Sequence, residues 1–198
     1  KLETQRFSFL DRARDCARLS IPTLIPDEGQ TSGRKFSCPY NGTAARGVNN
    51  LASSLLLSLL PPNAPFFRLV LDEGALRQVE ELPDVKTELE QSLADIEKSI
   101  MKEVEASNIR VSLFEILKHL IVGGNCLIQF PEEGGVRVFP LSRYVVKRSS
   151  LGKPLHIVTK ESIQPDELPE EMQGQVVGLA SDSSDGSVDL FTCIHRVS

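Results

Sequence analysis

The sequence predicts an α+β fold in which helices come first and a β-hairpin meander follows. Two observations carry this. Apolar residues recur at helical steps through residues 44–60, 84–106 and 112–122. Beyond Gly124 the pattern changes to short apolar runs separated by Gly, Ser and Pro turns, which is strand and hairpin chemistry. A linear division at residue 124 follows: residues 1–124 form a mainly helical region and 125–198 a β-rich one.

Taken in order, residues 3–19 read as a first helix, with Phe7, Leu10 and Arg14 at helical spacing. Ile21–Pro26 is a proline-locked extended connector, and residues 27–37 are loop-like in composition. The stretch Cys38–Phe67, CPYNGTAARGVNNLASSLLLSLLPPNAPFF, is a turn, a helix and a double-proline stop. Thr43 is the expected N-cap. Val48, Leu51, Leu55 and Leu59 form a stripe that Leu56, Leu57 and Leu60 widen until little polar face remains. A helix so apolar is expected to be buried. Its apolar run is shorter than the roughly 20 residues that a membrane span needs. Residues 66–71, FFRLVL, read as a short strand.

A long helix over 84–106 carries Val85, Leu89, Leu93, Ile96, Ile100 and Val104 on one stripe, opposite an acidic face. The next helix is expected to open at Ser112 with a capping box to Glu115, supported by a Val111–Ile116 staple. Gly123 and Gly124 end it. Two hairpins follow, 125–130 with 136–140 and 144–148 with 155–160, the second turning through Ser149–Gly152. Residues 163–172 suggest a short helix, 178–187 a polar loop, and 188–198 a last strand.

The composition is that of a globular chain, and net charge is −5. Affinity for nucleic acid grows with the number of phosphates neutralised by Lys and Arg, so an acidic chain lacks a general DNA-binding surface. The charge alternates along the chain. Residues 72–105 carry four Lys/Arg against eleven Asp/Glu, and residues 106–160 carry eight against three. Such blocks are either solvated faces or complementary surfaces that set the register of neighbouring subunits. Cys16, Cys38, Cys126 and Cys193 are scattered without a CxxC pair, and in a chain with no secretory signal they read as reduced thiols.

No catalytic, cofactor or metal constellation emerges. Gly123 and Gly124 follow a helix and precede a strand, the reverse of a phosphate loop. His119 with Cys126 is the one nucleophile–base pairing that could support a small hydrolase, and neither has an evident orienting partner. His156 has no ligand partner in its strand. Cys193 and His195 share a strand face, but two ligands fall short of a zinc site. Glu132–Glu133 and Glu170–Glu171 read as solvated turns. The remaining alternative class is a monomeric protein-binding module. Arg143, Lys147, Arg148 and Lys153 form the densest basic set and could face water, a subunit or DNA.

Several strings carry a family resemblance. ARDCARLSIPTLIP at 13–26, PYNGTAARGVNNLASSLLLSLLPP at 39–62, SNIRVSLFEILKHLIVGGNCLIQFPE at 107–132 and VFPLSRYVVKRSSLGKPLHIVTKESI at 138–163 stand in one order over about three quarters of the chain. The chain resembles the N-terminal part of the portal, or head-to-tail connector, protein of short-tailed lytic bacteriophages. The resemblance implies a wing-like fragment of a longer chain whose stem, clip and C-terminal region lie outside it. It implies a structural, non-enzymatic ring of twelve identical subunits at one capsid vertex, through which double-stranded DNA is packaged and ejected. The implied partners are the major capsid protein, scaffolding protein, the terminase motor, and tail adaptor and internal core proteins, with no membrane and no cofactor. The implied location is the virion, with assembly in the host cytoplasm. Within that frame, Arg46, Asn49, Asn50, Arg143, Lys147 and Arg148 are the expected subunit-interface residues, and DNA-contacting residues remain unassigned.

Overall fold

A computed structural model describes residues 2–27, 39–62, 64–72, 74, 83–131, 135–168 and 187–195. It contains helices α1 (Leu2–Leu19), α2 (Thr43–Leu59), α3 (Pro83–Ala106) and α4 (Ile109–Gly123). Strands β1 (Leu127–Gln129), β2 (Arg137–Phe139), β3 (Tyr144–Arg148), β4 (Pro154–Ile163) and β5 (Val188–His195) follow, with single helical turns at Leu141–Arg143 and Pro165–Glu167. β1 pairs with β2 in a two-stranded sheet, and β3, β4 and β5 form a three-stranded sheet in that order. The expected α+β class, helices first and a meander after, is the architecture found.

The chain divides into two compact units. One comprises residues 1–40, 122–127 and 139–198, and the other residues 41–121 and 128–138. The first helix, early in sequence, therefore belongs with the last three strands.

In the first unit, α1 buries Leu10, Ala13 and Ala17. Alanines rather than the expected Phe7 make its inner face, and Phe7 is exposed. Small residues let a helix approach its neighbours closely. Arg6 fixes the position of α1. Its guanidinium donates to the Leu141 carbonyl at 2.8 Å and to the Tyr144 carbonyl. Both acceptors lie in or beside the helical turn that leads into β3. Tyr144 is itself buried, and its hydroxyl donates to Asn125 Oδ1 at 3.1 Å. Burial, the largest cause, pushes its pKa up to about 12.

The helix stop at the end of α4 is made as the sequence predicts. Gly124 takes φ 71°, a left-handed conformation that disfavours a side chain. At Gly123 a Cβ would lie 3.1 Å from Ile25 Cδ1, so the connector after α1 packs closely on the end of α4.

The β3–β4 hairpin also matches expectation. Tyr144 pairs with Thr159 and Lys147 with His156, with a register shift between Lys147 and Arg148. Its turn is closed by Ser149 N–H to Lys153 O at 2.8 Å and by Gly152 N–H to Ser149 O at 2.9 Å, with Gly152 at φ 80°. β4 runs three residues beyond its expected end and pairs with β5 from His156–His195 to Ile163–Val188. That extension takes Ile163 from the helix expected over 163–172; among its described residues a single turn forms at Pro165–Glu167, and residues 169–172 lie outside the described residues.

In the second unit the leucine-rich helix departs from expectation. Ala52 is its buried residue, while Leu51, Leu55, Leu57 and Leu59 are 49%, 37%, 57% and 52% exposed. Thr43 is the first helical residue rather than the cap, and its N–H donates to Asn41 Oδ1 at 2.9 Å. α4 begins at Ile109, so Ser112 lies inside the helix and the expected capping box does not form. Ser112 instead donates weakly to the Val136 carbonyl at 3.4 Å, and Val111 is 71% exposed, which rules out the staple. Arg110 ties the start of α4 to the end of α2, donating to Leu60 O at 2.6 Å and Pro61 O at 3.3 Å. These carbonyls sit at a helix C-terminus, where the dipole is negative and a cation is favoured. Residues 67–72 form no strand; the Leu69 N–H donates to Glu97 Oε1 on α3 at 2.6 Å.

Arg6→Ala strips the Leu141 and Tyr144 carbonyls of a charged donor. Hydrogen bonds to charged groups contribute about 1.5–3 kcal/mol each and are not additive, so the variant is expected to lose about 2–4 kcal/mol in urea unfolding. A loss below about 0.5 kcal/mol would show that the clamp does not hold the fold.

Candidate functional site

The residues expected at an interface fall into two sets, one on each unit. Arg46, Asn49 and Asn50 lie on α2, all exposed. Arg143, Lys147 and Arg148 lie before and along β3, all exposed. Lys147 stands opposite His156, which stands opposite His195. The Arg148 guanidinium donates to the Gly152 carbonyl at 3.1 Å and so is engaged within its own hairpin. Residues 143–160 contain five Lys/Arg and no carboxylate. Among the described residues, Lys160 alone of these has an acidic partner across the sheet, Asp189 at 2.7 Å.

Sequence reading missed the apolar part of this surface. The expected single stripe on α3 is only partly covered: Val85, Ile96 and Ile100 are 45%, 49% and 40% exposed. Leu151, at the tip of the β3–β4 turn, is 84% exposed. The period of the pattern identifies such positions, but which of them is covered depends on packing that periodicity does not report.

The hydrolase alternative finds no support in the chemistry of its two residues. His119 is buried, and its ring Nδ1 has no hydrogen-bond partner among the described residues. Desolvation lowers its pKa, opposed by Glu115, whose Oε1 lies 3.8 Å from Nε2. Burial pushes the Cys126 thiol up, which disfavours the thiolate that a nucleophile needs. His156 has a neighbour after all, since its ring centroid lies 6.3 Å from that of His195. Among the described residues, however, no three His, Cys, Asp or Glu side chains are grouped to hold a metal ion. Cys38, Glu132–Glu133 and Glu170–Glu171 lie outside the described residues.

One cleft of about 370 Å³ lies between residues 68–71 and α3, lined by Leu69, Leu71, Leu93, Ala94, Glu90 and Glu97. The Glu97 carboxylate there is engaged by a backbone N–H. No described helix is long and apolar enough to cross a membrane.

Exposed apolar residues bordered by charge, as on α3 and at the β3–β4 turn, are surface features of the kind that meet other proteins. The comparisons agree. The sequence matches the family described as bacteriophage head to tail connecting protein over residues 1–197. The portal protein of Escherichia phage T7 is 34% identical over 201 residues, spanning 98% of this chain. That of Enterobacteria phage T3 is 35% identical over 200 residues, again 98% of the chain. That of Enterobacteria phage SP6 is 32% identical over 158 residues, 80% of the chain. The chain belongs to the bacteriophage head-to-tail connecting protein family. It spans about 37% of the length of the T7 and T3 relatives.

Two outcomes follow. The unfolded chain takes up a proton at His119 near its ordinary value of 6.5, whereas the folded chain resists protonation until lower pH. The unfolded state thus binds more protons in that window, and stability falls as pH drops below about 6.5. Thermal unfolding between pH 7 and pH 5 should lower the wild-type Tm more than that of His119→Gln; equal slopes would remove His119 as the cause. At pH 8, iodoacetamide should label exposed Cys16 and Cys193 before Cys126, and peptide mapping that finds Cys126 first would contradict its burial.

Proposed function

We propose that this chain is the N-terminal, wing-like part of a portal subunit, a structural connector that assembles with identical copies into a ring at one capsid vertex. Phage DNA passes through the ring during packaging and ejection, and motor and tail proteins attach to it. The family match over residues 1–197 carries this reading. The exposed leucines of α2 and the exposed stripe of α3 support it, because exposed apolar patches mark surfaces that meet other proteins.

In this reading the ring has twelve subunits, and capsid, scaffolding, terminase, tail adaptor and internal core proteins contact its outside. It resides in the virion and assembles in the host cytoplasm. Arg46, Asn49 and Asn50 reach one neighbour and Arg143, Lys147 and Arg148 another. DNA passes without being gripped, consistent with a net charge of −5 in this part. The subunit performs no chemistry of its own.

The full-length protein is therefore expected to sediment as a closed oligomer and to appear in electron micrographs as a ring with a central channel. A monomer at high concentration, with no rings, would refute the reading.

A further inference from the structure

Two exposed surfaces of opposite charge stand uncovered, one on each unit. The first is the stripe on α3. Val85, Ile96 and Ile100 lie along it with Glu88, Asp95 and Glu103, all six exposed. At 3.6 residues per turn they fall within an arc of about 140°. The whole helix holds seven Asp/Glu against three Lys. Asp95 pairs with Lys98 at 3.1 Å, but both are about three-quarters exposed, and such pairs hold little.

The second is the tip of the β3–β4 hairpin. Leu151 projects there at 84% exposure, with exposed Lys147, Arg148 and Lys153 around it. The hydrogen bond from Arg148 to Gly152 and the closed turn at Ser149–Lys153 keep this tip in one shape.

We propose that these surfaces meet in trans: the β3–β4 hairpin tip of one copy docks on the α3 stripe of the next. The inference rests on the ring reading above and names the contact that builds it. Both surfaces combine an exposed apolar centre with charge, and the charges are opposite. Leu151 meets Ile96 and Ile100, while Lys147, Arg148 and Lys153 face Glu88, Asp95 and Glu103. Charge of this kind sets register and excludes wrong partners more than it adds affinity. The two surfaces differ, so the contact is heterologous. Each copy presents one of each, and repetition closes a ring when the rotation allows. DNA accounts for the hairpin less well, because phosphates engage its cations but leave Leu151 in water and the α3 stripe bare.

The test uses the full-length protein in two charge-reversed forms. One carries Glu88→Lys, Asp95→Lys and Glu103→Lys. The other carries Lys147→Glu, Arg148→Glu and Lys153→Glu. Each alone opposes like charges at every contact, and ring yield by sedimentation is expected to fall at least tenfold. Mixed in equal amounts, the two forms can alternate: reversed helix meets reversed hairpin at one contact and the two unchanged surfaces meet at the next, so every contact pairs opposite charges and rings of alternating composition should return. The milder pair, Asp95→Lys with Lys147→Glu, leaves the Arg148–Gly152 bond in place and reads the same contact if the triple variants lose their fold. A wild-type ring with variants that assemble normally, or a mixture that stays unassembled, overturns the contact alone. Intact rings of the hairpin variant with lost retention of double-stranded DNA assign the hairpin to DNA and also overturn it. A wild-type protein that forms no ring overturns the connector reading itself.

Discussion

The first unit depends on one guanidinium. Arg6 reaches from α1 to two backbone carbonyls at the entry to β3, 135 and 138 residues away in sequence. Carbonyls at a chain reversal lack the ladder partners of a sheet interior, and burying them unpaired costs free energy. A forked cation satisfies two at once and fixes the angle between helix and strand. The other contacts complete a circuit. Tyr144 extends its hydroxyl to Asn125, Asn125 follows the glycine stop of α4, and a Cβ at Gly123 would crowd Ile25 and touch Ala13. Ala13 lies on the buried face of the helix that carries Arg6.

The second unit is organised differently. Its links are helix ends and edges: Arg110 on the last carbonyls of α2, and Glu97 receiving the N–H of Leu69. These contacts fix the helices while leaving long sides open. That arrangement suits a body whose broad faces are meant for other surfaces, and it explains why exposure on α2 and α3 coexists with ordinary helix geometry.

Much of the fold was legible in the sequence because local chemistry decided it. Gly124 at positive φ, the Ser149–Gly152 turn and the two helices over 2–19 and 83–106 follow from residue types at fixed spacing. The failures share another cause. Leu51, Leu55 and Leu59 form an apolar stripe, and such a stripe calls for cover without saying what supplies it. Ser112 and Glu115 have the spacing of a capping box, but α4 begins three residues earlier and places Ser112 within its helical run. The candidate interface residues were legible as polar or basic positions. Their separation onto two units was not, because it depends on a chain path that leaves the first unit and returns to it twice.

That path bears on how the protein is made. α1 leaves the ribosome well before its partners at Leu141 and Tyr144, which follow more than a hundred residues later, and β5 closes the sheet later still. Contacts so distant in sequence require long loops to be closed before they contribute, which slows folding. At about 5–20 residues per second, the 135 residues between Arg6 and Leu141 take about 7–27 s to make, and the nascent helix waits that long with its inner face unmet. Its buried face holds two alanines, one leucine and one arginine, while Phe7, Phe9 and Leu19 of the same helix stay exposed in the folded chain as well, so the large apolar side chains of this segment do not depend on the late partners for cover.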